Sequence, residues 1–189
     1  MRMSFAAALL VAPLLLSLTA CKEEVAATLP PPLPIAADAV GHYCGMELSE
    51  HPGPKGQAIL KSGRVVWMSS VRDAFAFSML PEEPRDYRAL YVTDVSGAAD
   101  PAHPDLTRWI EARQAWYVLG SRLTGGMGLA EPYPFAGEAE ARAFAAANGG
   151  VVRRFAEVHE DEILTPLLPG EDPFAGGGHD LHTADRSPR

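Results

Sequence analysis

A succession of strand, helix and strand occurs twice in this chain, and it is the feature that most constrains the fold. In the first half, residues 64–68 have the β-branched and aromatic content of a strand. Ser70 then stands where a helix N-cap is expected, with Asp73 three residues further on. This helix must end near Leu80, because a proline follows. Residues 89–95 form the returning strand.

The second half repeats this order with different residues. Residues 115–119 are predicted to be a strand, and residues 137–147 are an alanine-rich helix. An Asn-Gly-Gly sequence at 148–150 is a typical C-cap, and residues 151–158 form the returning strand. The pattern predicts an α+β fold of two similar small units packed together. A single unrepeated α+β sheet is the alternative, because the two halves share little sequence identity.

The first 20 residues have the pattern of a cleaved secretory signal. One arginine precedes an apolar run that contains a proline and is too short to span a membrane. The run ends in Leu-Thr-Ala followed by Cys21, which resembles a bacterial lipobox and predicts cleavage before Cys21 and its lipidation. The alternative is a soluble secreted protein. Lys22 follows Cys21 where an aspartate would retain the protein at the inner membrane, so we expect the outer membrane.

Composition divides the remaining chain into a linker, two units and a tail. Residues 21–39 are predicted to be a linker, because four prolines lie within five residues and no apolar period is present. The two α+β units are expected at 40–100 and 101–165, followed by a disordered tail at 166–189. His179 and His182 in that tail either capture copper or are simply solvated.

Charge, cysteine content and motifs exclude several classes of protein. The chain has 24 acidic and 16 basic residues, a net charge of −8, which argues against nucleic-acid binding. Two cysteines are too few for a disulfide scaffold or a four-cysteine zinc site. No nucleophile elbow, P-loop or HExxH motif is present. The carboxylates at 82–83 and 160–162 are interpreted as solvated.

Cys44 is the remaining thiol if Cys21 is lipidated, and its neighbours suggest a soft metal site. In an extended chain Cys44, Met46 and His42 would share one face, because side chains alternate every two residues. A thiolate beside a thioether suits Cu(I). His51 follows shortly after in a loop predicted to extend to residue 58. The alternative is that Cys44 is a buried small hydrophobe.

Met127 is a second candidate soft donor. Glycines at 125, 126 and 128 surround it, so it is poorly placed to anchor a core and its backbone is free to approach another group closely. A role in capping the sheet is the alternative. Met68 and Met79, at a strand end and on a helix face, are predicted to lie in the core.

The order of these motifs resembles the NosL family, the accessory lipoproteins of nitrous oxide reductase maturation. The resemblance runs from residue 40 to 160 and rests on a lipobox and linker followed by Cys-Gly-Met at 44–46, Glu-His-Pro-Gly-Pro-Lys-Gly-Gln at 50–57, Ser-Ser-Val-Arg-Asp-Ala-Phe at 69–75, Trp-Tyr-Val-Leu-Gly-Ser at 116–121, Gly-Met-Gly at 126–128 and Pro-Phe at 134–135. It implies two ββαβ units, with a fold similar to a domain of organomercurial lyase.

The resemblance also implies what the chain does. Members are periplasmic lipoproteins that bind Cu(I) and deliver copper towards the copper–sulfur cluster of nitrous oxide reductase, working with an ABC-type membrane complex. Cys44 and Met46 match the C-x-M copper motif and Met127 matches the later methionine. The nitrogen ligand is either His51 or His42.

Such a chaperone is expected to have an open site, with residues 125–128 closing over the metal, and to be no enzyme. Two or three ligands on an exposed edge and a mobile loop permit ligand exchange, which a closed four-ligand site does not. Two alternatives are a non-catalytic scaffold lipoprotein and a thiol-dependent enzyme that uses Cys44. The enzyme is disfavoured, because the mature chain has no second thiol.

Overall fold

The structure is a computed structural model that describes residues 28–165. The predicted signal at 1–20, the lipidation site Cys21 and the tail with His179 and His182 lie outside the described residues. Within 28–165, no helix is both long enough and apolar enough to cross a membrane.

The first unit is a four-stranded antiparallel sheet with one helix. Its elements are β1 (Gly56–Leu60), β2 (Val65–Met68), α1 (Val71–Met79), β3 (Tyr87–Thr93) and β4 (Trp109–Glu111). The strand order is β2-β1-β3-β4, so β1 lies in the interior of the sheet and β4 at an edge. The first sheet therefore extends beyond residue 100, where the sequence divides the two units.

The second unit repeats the topology of the first. Its elements are β5 (Trp116–Leu119), β6 (Tyr133–Phe135), α2 (Glu138–Asn148) and β7 (Val151–Arg154), and α3 (Glu160–Leu164) follows. Short 3-10 helices lie at Leu48–Glu50, Ala112–Gln114 and Phe155–Glu157. The strand order β6-β5-β7 matches β2-β1-β3, with every pair antiparallel. The predicted α+β fold of two ββαβ units is confirmed.

The strands that correspond in the two units differ from those that the sequence pairs. The pattern matches residues 64–68 with 115–119, but the topology makes β5 the equivalent of β1 and β6 the equivalent of β2. The prediction that residues 50–58 are a loop is wrong from Gly56 onward, where β1 begins. All five residues of β1 are buried, so the strand lacks the alternation that reveals a half-exposed strand. The three residues of β6 include a proline, which an edge strand tolerates.

The predicted helix ends are confirmed at both helices. The Ser70 hydroxyl accepts a hydrogen bond from the Asp73 backbone N–H at 3.0 Å, which makes it the N-cap of α1. That helix ends at Met79, before the proline. Gly149 caps the C-terminus of α2 with a φ of 76°, a conformation that favours glycine.

Helix α1 lies between the two sheets and joins their cores. Its Phe75 ring contacts the Tyr117 ring of β5 edge-on, with centroids 4.7 Å apart. Tyr117 and Leu119 belong to the same core cluster as the α1 face, whereas Val118 packs with α2. Met68 is fully buried in that cluster and Met79 packs against it, as predicted. The order of layers is therefore first sheet, α1, second sheet and α2.

The proline strap, residues 30–35, packs on the face of the first sheet opposite α1. The buried side chain of Gln57 donates to the Leu33 carbonyl and accepts from the Leu33 N–H, each at 2.9 Å. The Tyr91 hydroxyl donates to the Pro30 carbonyl at 2.7 Å. The predicted free linker over 21–39 therefore ends before Pro30. A proline-rich segment has backbone carbonyls but few N–H groups, so a glutamine and a tyrosine of the sheet satisfy it instead of strand pairing.

We expect the strap to depend on Gln57. Gln57→Ala removes both hydrogen bonds to Leu33, so the free energy of unfolding should fall by about 2 kcal/mol. Denaturant unfolding measures that change, and hydrogen exchange at the Leu33 amide should become fast. Tyr91→Phe, which loses one hydrogen bond, should cost about 1 kcal/mol. Unchanged protection of the Leu33 amide in Gln57→Ala would contradict this role.

Candidate metal centre

Cys44 lies in a tight turn, residues 40–47, directly before the first unit. Val40 and Glu47 form an isolated antiparallel bridge, and the Gly41 N–H donates to the Met46 carbonyl at 2.9 Å. Gly45, with a φ of 67°, makes the reversal possible. The prediction that residues 42–46 are extended is therefore wrong. The alternation of side chains on which it relied does not apply in a turn.

The Cys44 thiol is half-buried and points to the N-terminus of α1. Its Sγ donates to the Ser69 hydroxyl at 3.4 Å, and that hydroxyl donates to Asp73 Oδ2 at 2.9 Å. A Cβ on Gly41 would lie 2.6 Å from the sulfur, so the glycine leaves the space that the thiol occupies. A purely packed, inert cysteine would not need this polar surrounding.

The two candidate thioethers are exposed to solvent. Met46 is 39% exposed and Met127 is 44% exposed, whereas Met68 is completely buried. Their sulfur atoms are therefore on side chains that a ligand can reach without opening the core. This exposure separates the two candidate donors from the core methionines, as the sequence predicts.

Met127 lies at the tip of a turn that contacts the loop after His51. The Gly128 N–H donates to the Gly125 carbonyl at 2.9 Å and closes the turn. A Cβ on Gly126 would collide with the Pro52 carbonyl oxygen, so only glycine permits this approach. The loop of the second unit that carries Met127 is therefore seated against the first unit, on the segment that begins at His51.

Lys55 connects the segments that carry the candidate donors. Its side chain is completely buried, and its ammonium donates to the carbonyls of His51 at 2.7 Å, Pro52 at 3.2 Å and Ser69 at 3.2 Å. Burial lowers the pKa of Lys55 to about 8, with Glu131, Cys44 and Asp73 opposing the shift. The lysine is thus still an ammonium at neutral pH, and all three of its protons are hydrogen-bonded.

Glu131 attaches the Met127 loop to the N-terminus of α1. Its Oε1 accepts the Val71 N–H at 2.6 Å, and a Cβ on Gly125 would lie 2.7 Å from its Oε2. Burial raises the pKa of Glu131 to about 8, although the Val71 N–H opposes the shift. A carboxyl of the second unit therefore satisfies a free N–H of a helix in the first.

The structure places the two candidate histidines in different surroundings. His42 Nε2 lies 2.9 Å from Glu83 Oε1, which also accepts the Tyr43 hydroxyl at 2.9 Å. The Nε2 atom of His51 is buried and has no hydrogen-bond partner in the described part of the chain. The interpretation of the carboxylates at 82–83 as solvated is wrong for Glu83, whose side chain is only 10% exposed.

The donors at this centre are mainly soft. Among residues 28–165, no group of three His, Cys, Asp or Glu side chains is placed to hold a metal ion. The candidate donors on these segments are one thiol, two exposed thioethers and the unpartnered nitrogen of His51. A donor set of this kind fits Cu(I) better than Mg²⁺, Ca²⁺ or a structural zinc ion.

Four residues of this region were not identified from the sequence: Lys55, Ser69, Glu83 and Glu131. Lys55 stands between Pro54 and Gly56, directly before the fully buried β1, and that position was the one available signal. Ser69 directly precedes the N-cap Ser70, so the sequence gives no sign of a separate role for its hydroxyl. The partners of Glu83 and Glu131 are about 40 and 60 residues away in sequence. Glu162 is likewise buried rather than solvated, and its Oε2 accepts the His159 N–H.

We expect Glu131 to make stability depend on pH between about 5 and 8. The native carboxyl, with its raised pKa, holds a proton that the unfolded chain loses above about pH 4.5. The contribution of Glu131 to the free energy of unfolding is therefore fully present below about pH 4.5 and is lost as the pH rises through 8. Between these values the free energy of unfolding should fall by at most about 1.4 kcal/mol per pH unit.

Glu131→Gln should flatten that dependence, because the amide oxygen still accepts the Val71 N–H but does not titrate. Denaturant unfolding at several pH values tests this. Glu50→Gln removes a carboxylate that is exposed and should leave the slope unchanged. Equal slopes in the parent protein and in Glu131→Gln would show that Glu131 is not the titrating group.

Comparisons with known proteins identify the family to which the chain is similar. The sequence profile of the NosL family matches residues 32–163. The copper-binding lipoprotein NosL of Achromobacter cycloclastes is 42% identical over 88% of this chain and 86% of its own. The copper-binding lipoprotein NosL of Stutzerimonas stutzeri is 39% identical over 93% of this chain and 89% of its own.

A solved structure supports the same relationship. The crystal structure of the copper chaperone NosL from Shewanella denitrificans has a TM-score of 0.64 and is 36% identical, covering 69% of this chain and 98% of its own. These relatives are named as copper-binding lipoproteins and as a copper chaperone, not as enzymes. The family match covers the turn of Cys44, the loop of Met127 and both ββαβ units, and the chain belongs to the NosL family.

Proposed function

We propose that this chain is a periplasmic metallochaperone that carries Cu(I) as its cargo, bound by Cys44, Met46 and Met127. The observation that carries the proposal is the Cys44 thiol, half-buried and directed to the helix N-terminus, with an exposed thioether two residues away in the same turn. The names of the copper-binding relatives support the same cargo.

The exposure of the donors suits transfer of copper better than storage. A thiolate and thioethers hold Cu(I) well, and the two exposed thioethers leave one side of a bound ion accessible to the ligands of an acceptor. The donors can then be replaced one at a time, so the metal need never be released free. A closed four-ligand site would block that exchange.

Met127 supplies the movable part of the proposed site. Its turn is held to the first unit through the Gly126–Pro52 contact and through Glu131, while the methionine side chain itself faces solvent. Residues 125–128 are therefore positioned to close over a bound ion with little rearrangement of the backbone on either side.

For the nitrogen ligand we favour His51 over His42. The Nε2 of His51 is a buried polar atom that lacks a partner in the described residues, and a bound metal ion would satisfy it. His42 already has Glu83 as partner through Nε2. Its Nδ1 is the competing candidate, because a carboxylate behind an imidazole is a common arrangement at metal sites.

The proposal also covers the cellular location of the chain and the partners to which it delivers copper. Lipidation of Cys21 would anchor it in the bacterial cell envelope, at the outer membrane, with the folded part facing the periplasm. The acceptor would be an ABC-type membrane complex, and through it the copper–sulfur centre of nitrous oxide reductase. These steps rest on the lipobox and on membership of the family.

Cys44→Ser should lower the affinity for Cu(I) by orders of magnitude, because the thiolate is the strongest donor. Met127→Leu should lower it less, since one thioether is lost and the thiol remains. An anaerobic titration of residues 22–189 with Cu(I) against a competing chelator measures both effects. Met79→Leu, at a packed methionine outside the site, is the matched control and should bind normally. Normal binding in Cys44→Ser would leave a non-catalytic scaffold as the better account of the protein.

The choice of histidine is tested in the same titration. We expect His51→Gln to weaken Cu(I) binding by about tenfold and His42→Gln to leave it nearly unchanged. X-ray absorption spectroscopy of the Cu(I)-loaded protein should show the loss of a nitrogen ligand only in His51→Gln. The reverse ranking would assign the nitrogen to His42, oriented by Glu83.

A further inference from the structure

Lys55 places a buried positive charge directly behind the Cys44 thiol. Both groups contact Ser69: the thiol is 3.4 Å from its hydroxyl, and the ammonium is 3.2 Å from its carbonyl oxygen. The lysine is completely buried, so solvent does not screen its charge from the sulfur as it would at the surface. A cation at this position repels any metal ion that the thiolate binds.

Two charged side chains share Ser69 with the sulfur. The Asp73 carboxylate accepts the Ser69 hydroxyl and contributes a negative charge, and the Lys55 ammonium donates to the Ser69 carbonyl and contributes a positive charge. The Arg72 guanidinium, which acts on Asp73 and Glu131, adds a second positive charge on the same side. Positive charge behind a metal-binding thiolate opposes a divalent ion more strongly than a monovalent one.

We propose that Lys55 is a specificity-determining residue, whose buried ammonium makes the site select a monovalent metal ion over divalent ones. The inference rests on the proposed function in one respect, that Cys44 binds the metal. The repulsion between the ammonium and the ion is twice as large for a divalent ion as for a monovalent one. Zn²⁺, which also binds thiolates well, is thereby disfavoured relative to Cu(I).

A merely structural role for Lys55 predicts a different result. If the ammonium only holds the carbonyls of His51, Pro52 and Ser69 together, its loss disturbs the donors and weakens the binding of both ions to a similar extent. If its charge matters, its loss changes the ratio of the two affinities. The ratio of Zn²⁺ to Cu(I) affinity therefore distinguishes the two roles.

The experiment measures both affinities in residues 22–189, anaerobically and against competing chelators. In Lys55→Met and in Lys55→Gln, the affinity for Zn²⁺ relative to Cu(I) should rise by about tenfold or more. Lys61→Met makes the same change in net charge at an exposed turn and should leave the ratio unchanged. Thermal unfolding identifies any variant that does not fold.

A second variant tests the charge balance without altering Lys55. Asp73→Asn removes a negative charge behind the thiol, so the ratio of Zn²⁺ to Cu(I) affinity should fall by about tenfold. An unchanged ratio in the folded Lys55 variants, or in Asp73→Asn where those variants fail to fold, would overturn the proposal. Cys44→Ser separates the two hypotheses, because undiminished Cu(I) binding in that variant contradicts the proposed function itself.

Discussion

The ammonium of Lys55 is the interaction on which the arrangement of this centre depends. Two segments turn their carbonyl groups towards it: the loop at His51 and Pro52, and the end of β2 at Ser69. Pro52 contacts the Met127 loop through Gly126, and the Ser69 hydroxyl accepts a hydrogen bond from the thiol. A buried cation with all three protons bonded is costly to desolvate but fixes its neighbours closely, because each carbonyl has one favourable position.

Local signals in the sequence were sufficient for helices α1 and α2 and for strands β2, β3, β5 and β7. They did not reveal the contacts between the two units. The cap at Ser70, the helix end before the proline and the glycine after α2 depend on neighbouring residues, and these predictions were confirmed. Strand β1 was missed because burial on both faces removes its alternation. The candidate donors were found by their chemical type, but the extended geometry assumed for Cys44 failed, since Gly45 reverses the chain there.

The two units share a topology, and a difference in the connection between their first two strands creates the centre. Between β1 and β2 the chain turns within four residues, at 61–64, whereas between β5 and β6 it runs through residues 120–132. The longer connection reaches the other unit and contributes both Met127 and Glu131. A duplicated fold thus acquires a single centre, because an insertion in one copy meets the helix N-terminus of the other. Loops are where such additions are tolerated.

The proline strap also sets how far the centre could travel from an anchored Cys21. Gln57 and Tyr91 fix the chain from Pro30 onward, and Pro30 is nine residues after Cys21 in the sequence. Fully extended, that length reaches about 30 Å. The domain would then explore a thin layer above the membrane, and an acceptor must present its own ligands inside that layer. Encounter becomes a search in two dimensions, within a height limited by the attachment of the strap to Gln57 and Tyr91.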